Sequence, residues 1–180
     1  YYGDQTAKHA GRLTLNPIKH IDPVGSILVP LLLVMSGSGI LFGWAKPVPY
    51  NPYNLRDQKW GNFWVAAAGI ISNLLIAIFF SILIRFGMIY VADFSSSAFF
   101  AISKSVVILN IVLAIFNLVP IPPLDGSKIL FTFLPYHFNN IQQFLEKYSL
   151  ILMLGFIFFI WKYFAVLIFL IFHSFTGVGF

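Results

Sequence analysis

The stretch Asn117-Leu118-Val119-Pro120-Ile121-Pro122-Pro123-Leu124-Asp125-Gly126 decides how this chain is read. It follows an apolar run that starts near Phe99 and places prolines at 120, 122 and 123. Each proline removes a backbone donor and disfavours the helical conformation in the residue before it. A helix running through Phe99 to Leu118 must therefore break at Pro120–Asp125. Beside the break stands a carboxylate, Asp125, in otherwise apolar sequence.

Composition says what surrounds that break. Charged residues are 9% of the 180, apolar residues 59%, and 21 residues are Phe. An ordinary soluble domain carries roughly 25% charged residues. A soluble chain of this size also leaves roughly 30% of its unfolded surface exposed, so it could not hide so much apolar area from water. The solvent is expected to be lipid, and the protein an integral multi-pass one. With no Cys, a disulfide framework and a thiolate zinc site are excluded, and any metal must use His, Asp or Glu. The net charge of +5 does not point to nucleic acid, because the basic residues stand singly between apolar runs. They read as juxtamembrane anchors, and the partner they imply is the lipid bilayer.

A bilayer core of about 30 Å takes about 20 helical residues to cross. Four regions qualify: Pro23 to Ala45, Trp60 to Ile84, Phe99 to Leu118 with Lys104 snorkelling to the interface, and Tyr148 to Phe180, interrupted by Lys162. The last is read as one span plus an interfacial helix. The fold predicted is an all-α, polytopic membrane protein with about four transmembrane helices. Arg85, Tyr90 and Asp93 read as a headgroup-level turn. The links between spans are too short for a folded extramembrane domain, so residues 1–180 read as a single membrane-embedded core with no PDZ or other soluble domain. Lys8, Arg12 and Lys19 before the first span balance Lys46, Arg56 and Lys59 after it, which leaves the orientation open.

A charge at the centre of a bilayer costs at least about 2.5 to 3.5 kcal/mol, so an intramembrane Asp is a functional candidate by default. The plainer reading makes Asp125 the N-cap of a following helix whose apolar face runs over Ile129 to Leu134. The two roles are compatible, since one carboxylate oxygen can cap while the other meets a metal. Broken backbone at membrane depth needs protein or a watery cavity to satisfy its polar groups, so this segment should line a cavity. Water is expected to reach it near Ser36 to Gly39 and at the Pro120 break.

Two other stretches stand out. Gly43-Trp44-Ala45-Lys46-Pro47-Val48-Pro49-Tyr50-Asn51-Pro52-Tyr53-Asn54 cannot be helical, and reads as an extended ribbon with aromatic interface anchors. It is either a loop or an exposed edge able to pair with an unwound peptide. Asn73, in Gly69-Ile70-Ile71-Ser72-Asn73, is either helix-to-helix glue or a functional amide.

A catalytic zinc wants about three protein ligands and a water. His9, His20, His137 and His173 make no i, i+4 pair, the only Glu is Glu146, and no H-E-x-x-H occurs. His137, Glu146 and Asp125 are one conceivable grouping into a site; more plainly, His137 sits at the interface beside Tyr136, and Glu146-Lys147 is a solvated edge.

Asn117-Leu-Val-Pro120-Ile-Pro-Pro-Leu-Asp125-Gly126 resembles the N-x-x-P-x-x-x-x-D-G motif of the site-2 protease family, the intramembrane zinc metalloproteases. Gly11 to Pro23, Gly43 to Pro49 and Ala68 to Asn73 are similar to that family's other blocks, in the same order. The resemblance runs from about Gly3 to Leu134. It implies that Asp125 is a zinc ligand, that Asn117, Pro120 and Gly126 support its approach, and that Asn73 contacts the substrate peptide or its oxyanion. It implies that Gly43–Asn54 is a membrane-associated ribbon near the active site. The cofactor implied is Zn2+ and the partner a membrane-protein or peptide substrate. Ile70 stands where the family often has Pro.

The family's H-E-x-x-H helix lies just upstream of the block matched here by Gly3-Asp4-Gln5-Thr6-Ala7. The first residue is Tyr, and Tyr1-Tyr2-Gly3-Asp4 reads like the end of a helix stopped by Gly3. The expectation is an N-terminally truncated metalloendopeptidase of a prokaryotic cytoplasmic membrane, whose two His ligands and general-base Glu lie outside these residues. By itself this chain is not expected to hydrolyse peptides. The alternative is a non-catalytic transporter or scaffold on the same fold, which accommodates the broken helix and Asp125 equally well.

Overall fold

The computed structural model describes residues 3–14, 16–37, 45–46, 48–49, 51–135 and 138–179. Backbone contacts divide the chain into two compact units, Tyr1–Gly61 and Asn62–Phe180.

The first unit is built from short, individually capped turns. Helix α1 (Thr6–His9) is followed by a 3-10 turn at Pro17–His20, and a π-helical turn at Pro23–Leu28 leads into α2 (Val29–Met35). The starts are set by side chains that replace missing helical acceptors. Asn16 accepts from the Ile18 amide at 3.0 Å, and Asp22 accepts from Val24 and Gly25 at 2.9 and 2.8 Å just ahead of Pro23. The span expected from Pro23 to Ala45 is helical from Pro23 to Met35, an apolar helix shorter than the three candidate spans. Residues 38–44 of that region, including Ser38 and Gly39, fall outside the described residues.

The second unit contains the long helices. Helix α3 (Gln58–Tyr90) starts at the end of the first unit and has 33 residues. A 3-10 turn at Phe94–Ser96 joins it to α4 (Ala98–Leu118), followed by α5 (Asp125–Phe133) and α6 (Asn139–Lys147). Helix α7 (Ser149–Gly155), a π turn (Phe156–Ile160) and α8 (Trp161–Thr176) then form one continuous apolar stretch of 28 residues. Three helices, Gln58–Tyr90, Ala98–Leu118 and Ser149–Thr176, are long and apolar enough to cross a membrane, and no strand occurs among the described residues. The all-α membrane fold and three of the four expected spans are thus as the sequence predicts, except that the last region is one continuous stretch, Ser149–Thr176, and not a span plus an interfacial helix.

The α3–α4 hairpin closes because Gly87 lacks a side chain: a Cβ there would collide with the Phe94 ring, which packs over it and is buried. Asp93 takes the left-handed conformation (φ 54°) that turns the chain, and the Ser97 hydroxyl caps α4 by accepting from the Phe100 amide at 3.1 Å. Small and branched residues then let α3, α4 and α8 approach: Ala77, Ile84, Val107, Ile111, Ile168 and Phe172 make one buried cluster. Arg85 does not mark a turn. Helix α3 runs on past it to Tyr90, while its guanidinium reaches the C-terminal end of α8, Nε donating to the Phe175 carbonyl at 2.7 Å and Nη2 to Ser174 at 2.6 Å. The outer faces stay apolar and exposed, with Phe79, Leu109 and Phe158 among the residues pointing away from the protein. Such surface on helices of crossing length is stable only against lipid.

Candidate functional site

Helix α4 ends where the prolines require. Val119 has left the helix (φ −62°, ψ 129°), and the chain closes in two tight turns, Ile121 N–H to Val119 O at 2.9 Å and Leu124 N–H to Ile121 O at 3.0 Å. The broken segment is therefore folded back on itself, with extended conformations at Val119 and Leu124. The turn brings the start of α5 against the end of α4. Gly126 is what permits it, because a Cβ there would overlap the Leu118 and Val119 carbonyls. Ser127 completes the junction by donating through Oγ to the Leu124 carbonyl at 2.7 Å.

Asp125 occupies the first turn of α5, one position past the N-cap residue Leu124, and no side chain caps this helix. The plainer reading of Asp125 as an N-cap is thereby excluded. Its Oδ1 instead accepts from Lys128 Nζ at 2.9 Å, an ion pair within one helical turn whose side chains are about one-third exposed (32% for Lys128, 30% for Asp125). Its Oδ2 lies toward α3 at Gly69, where a Cβ would stand 3.6 Å away. One carboxylate oxygen is held, and the other faces a helix position that carries no side chain.

Of the remaining predicted residues, Asn117 and Pro120 adjoin this junction in sequence and Asn73 stands on α3. Asn117 is half-buried in the last turn of α4, and Pro120 is exposed at the break. Asn73, half-buried, lies one turn along α3 from Gly69, on the same helical face. The segment does line a cavity, as expected: Val119 and Pro120, with Ile70, Leu74, Phe164 and others, enclose about 450 Å³. Its walls are almost entirely apolar.

The donor chemistry fits one arm of a zinc site, a carboxylate with one oxygen anchored and the other turned to open backbone. It does not supply a whole one. Among the described residues no group of three or more His, Cys, Asp or Glu could hold a metal. His137 lies outside the described residues.

The ribbon is described only in part, since Gly43, Trp44, Pro47 and Tyr50 lie outside the described residues and Pro52–Asn54 forms a 3-10 turn. Its end is tied down by Asp4, a residue that the sequence reading used only as part of a matching block. Asp4 accepts from the Thr6 hydroxyl at 2.5 Å and the Thr6 amide at 3.0 Å, from the Asn51 amide at 2.8 Å and from Asn54 Nδ2 at 3.2 Å. The Thr6 hydroxyl, and after it the Asn51 backbone N–H, hold its carboxyl at about 2, below the ordinary 3.8. Gly3, with φ +102°, takes a conformation that side chains disfavour and passes close to the Asn54 carbonyl.

Comparison with known proteins agrees with this picture. The family model described as "Peptidase family M50" matches residues 85–160. A protein of Bacillus subtilis (strain 168), named "Putative zinc metalloprotease YwhC", is 40% identical over 159 residues, covering 85% of this chain and 68% of that protein. One of Mycolicibacterium smegmatis (strain ATCC 700084 / mc(2)155), named "Putative zinc metalloprotease Rip2", is 31% identical over 127 residues, covering 69% of this chain and 45% of that protein. No solved structure matches the chain. With the broken helix, the Asp125-Gly126 junction and a 40% identical relative covered over two-thirds of its length, the chain belongs to peptidase family M50, the site-2 protease family that its motifs resemble.

Proposed function

We propose that this chain forms the membrane-embedded part of an intramembrane zinc metalloendopeptidase that hydrolyses peptide bonds of membrane-protein substrates, with Asp125 as its one zinc ligand. The observation that carries the reading is the pose of that carboxylate: Oδ1 is taken by Lys128 and Oδ2 is turned toward the side-chain-free Gly69. The names of the two relatives as zinc metalloproteases support the chemistry. The chain has no H-E-x-x-H, so the two remaining protein ligands and the general base come from residues outside these 180.

A bound Zn2+ would supply Lewis acidity and a water whose pKa falls toward about 7. The residues of this chain do the rest. Gly126 sets the close approach of α5 to α4 that fixes where Asp125 stands, and Lys128 keeps the carboxylate from rotating. Asn117 and Pro120 shape the end of α4, from which the carboxylate is delivered. The Asn73 amide is assigned to the substrate carbonyl or its oxyanion, where a positioned donor lowers the barrier. A helical substrate must unwind, since its carbonyls are engaged, and the ribbon at Gly43–Asn54 is assigned to pairing with the unwound segment. Asp4 anchors the Asn51–Asn54 end of that ribbon.

The test is cleavage of a membrane-anchored peptide by the full-length protein reconstituted in liposomes. The expected result is cleavage that stops on zinc chelation, resumes on adding zinc, and falls at least about 10²-fold in Asn73→Ala, the size of effect seen when an oxyanion donor is removed. Cleavage indifferent to chelation would reject the reading, as would coupled ion uptake without any proteolysis.

A further inference from the structure

Helix α6 (Asn139–Lys147) has no counterpart among the elements expected from the sequence, where Glu146-Lys147 reads as a solvated edge. At 100° per residue its apolar side chains fall on one arc: Ile141, Phe144 and Leu145 within the helix, flanked three residues before by Phe138 and three residues after by Tyr148. Asn139, Asn140, Gln142, Gln143, Glu146 and Lys147 take the other side, where Gln142 Nε2 donates to Glu146 Oε1 at 2.9 Å. None of the helix is buried, and the apolar arc is open, with Ile141 47% and Phe144 53% exposed. Nine residues are too few to cross a bilayer.

The position of α6 in the chain identifies what covers that arc. Tyr148 ends the helix and Ser149 begins the apolar stretch Ser149–Thr176, so α6 stands at the boundary where that stretch meets the headgroups. The stretch that follows exposes apolar side chains from its first turn, Leu150 and Ile151. Tyr148, between the two helices, meets Phe144 at a tilt with ring centroids 4.8 Å apart and carries Lys147 Nζ 5.3 Å from its ring centre. An aromatic ring with a lysine beside it is the side-chain pair favoured at the membrane interface.

We infer that α6 is an interfacial helix, lying in the plane of the bilayer with Ile141, Phe144 and Leu145 in the boundary between headgroups and acyl chains. Its one acid and one base, Glu146 and Lys147, cancel, so apolar burial holds it there and attraction to anionic lipid does not.

These 180 residues contain no Cys, so single cysteines can report on each face. Phe144→Cys and Gln143→Cys, each labelled with a nitroxide in the full-length protein in phosphatidylcholine vesicles, are probed with oxygen, which concentrates in lipid, and a water-soluble nickel complex. The expected result is a label at 144 that oxygen reaches and nickel does not, the reverse at 143, and no change when anionic lipid is added. Nickel reaching both positions alike would overturn the inference by placing α6 in water. A label at 144 shielded from both reagents would overturn it by showing that protein, a second copy or another segment, covers the arc. Immersion that requires anionic lipid would also contradict it.

Discussion

Gly69 and Asp125 meet without a side chain between them: a Cβ on Gly69 would stand 3.6 Å from Asp125 Oδ2, an ordinary van der Waals contact. Gly69→Ala therefore fits without displacing anything. Replacing Gly inside a helix gains up to about 1 kcal/mol of helix propensity, so the variant is expected to be as stable as the parent or slightly more so. The new methyl group nevertheless faces the oxygen assigned to zinc. Thermal unfolding in detergent should show no loss, while bound zinc in the full-length protein falls; unchanged zinc would mean that Oδ2 is not the oxygen used.

Gly126 is the opposite case. A Cβ there overlaps backbone, the Leu118 and Val119 carbonyls, which cannot swing aside as a flexible side chain would. Gly126→Ala has to push α5 off the end of α4, at a cost of about 1–3 kcal/mol. A lowered unfolding midpoint is the expected readout, and a midpoint equal to that of Gly69→Ala would refute the packing argument.

Arg85 holds two otherwise terminal carbonyls of α8, those of Ser174 and Phe175. Losing both hydrogen bonds and a cation at a helix C-terminus should cost about 1 kcal/mol, held down by the solvent exposure of the guanidinium. In Arg85→Ala, amide exchange in the last turn of α8 is expected to accelerate several-fold. Arg85→Lys, with one compact donor group in place of the two-pronged fork, should recover only part of the protection.

Asp4 gives the ribbon an acid-side pH dependence. Its folded value, about 2, lies below the ordinary 3.8, so its contribution is complete above about 4 and is lost as pH falls through about 2. Exchange at the Asn51 amide, which donates to Asp4 Oδ2, should rise across that window beyond the intrinsic trend. Asp4→Asn should remove the dependence and leave the amide poorly protected at every pH. A persistent acid transition in the variant would assign the effect elsewhere.

What was legible in the sequence was what lipid and proline enforce locally. Apolar runs of 20 or more residues carrying at most one charge marked three spans, and Pro120, Pro122 and Pro123 marked the break after Leu118. The ends of the spans were less legible, because a charge can reach past its own position: Arg85 looks like a stop, but its long side chain finds carbonyls 89 and 90 residues away and the helix continues to Tyr90. Of the candidate site, Asp125 was legible as a carboxylate beside the break, and Asn73, Asn117, Pro120 and Gly126 as parts of the family's motifs. That Gly69 faces Asp125, and that Lys128 rather than a backbone amide takes its first oxygen, depends on how α3 and α5 pack, which no local pattern records. Helix α6 was hidden for a different reason, since its polar residues suggest solvent until they are read at helical spacing.

The most direct test is the zinc content of the full-length protein, purified with and without Asp125→Asn. The substitution keeps the shape of the side chain and removes its charge. The account predicts about one zinc per wild-type protein and a large loss in the variant, with the folded helical content unchanged. Equal zinc in both proteins would contradict it.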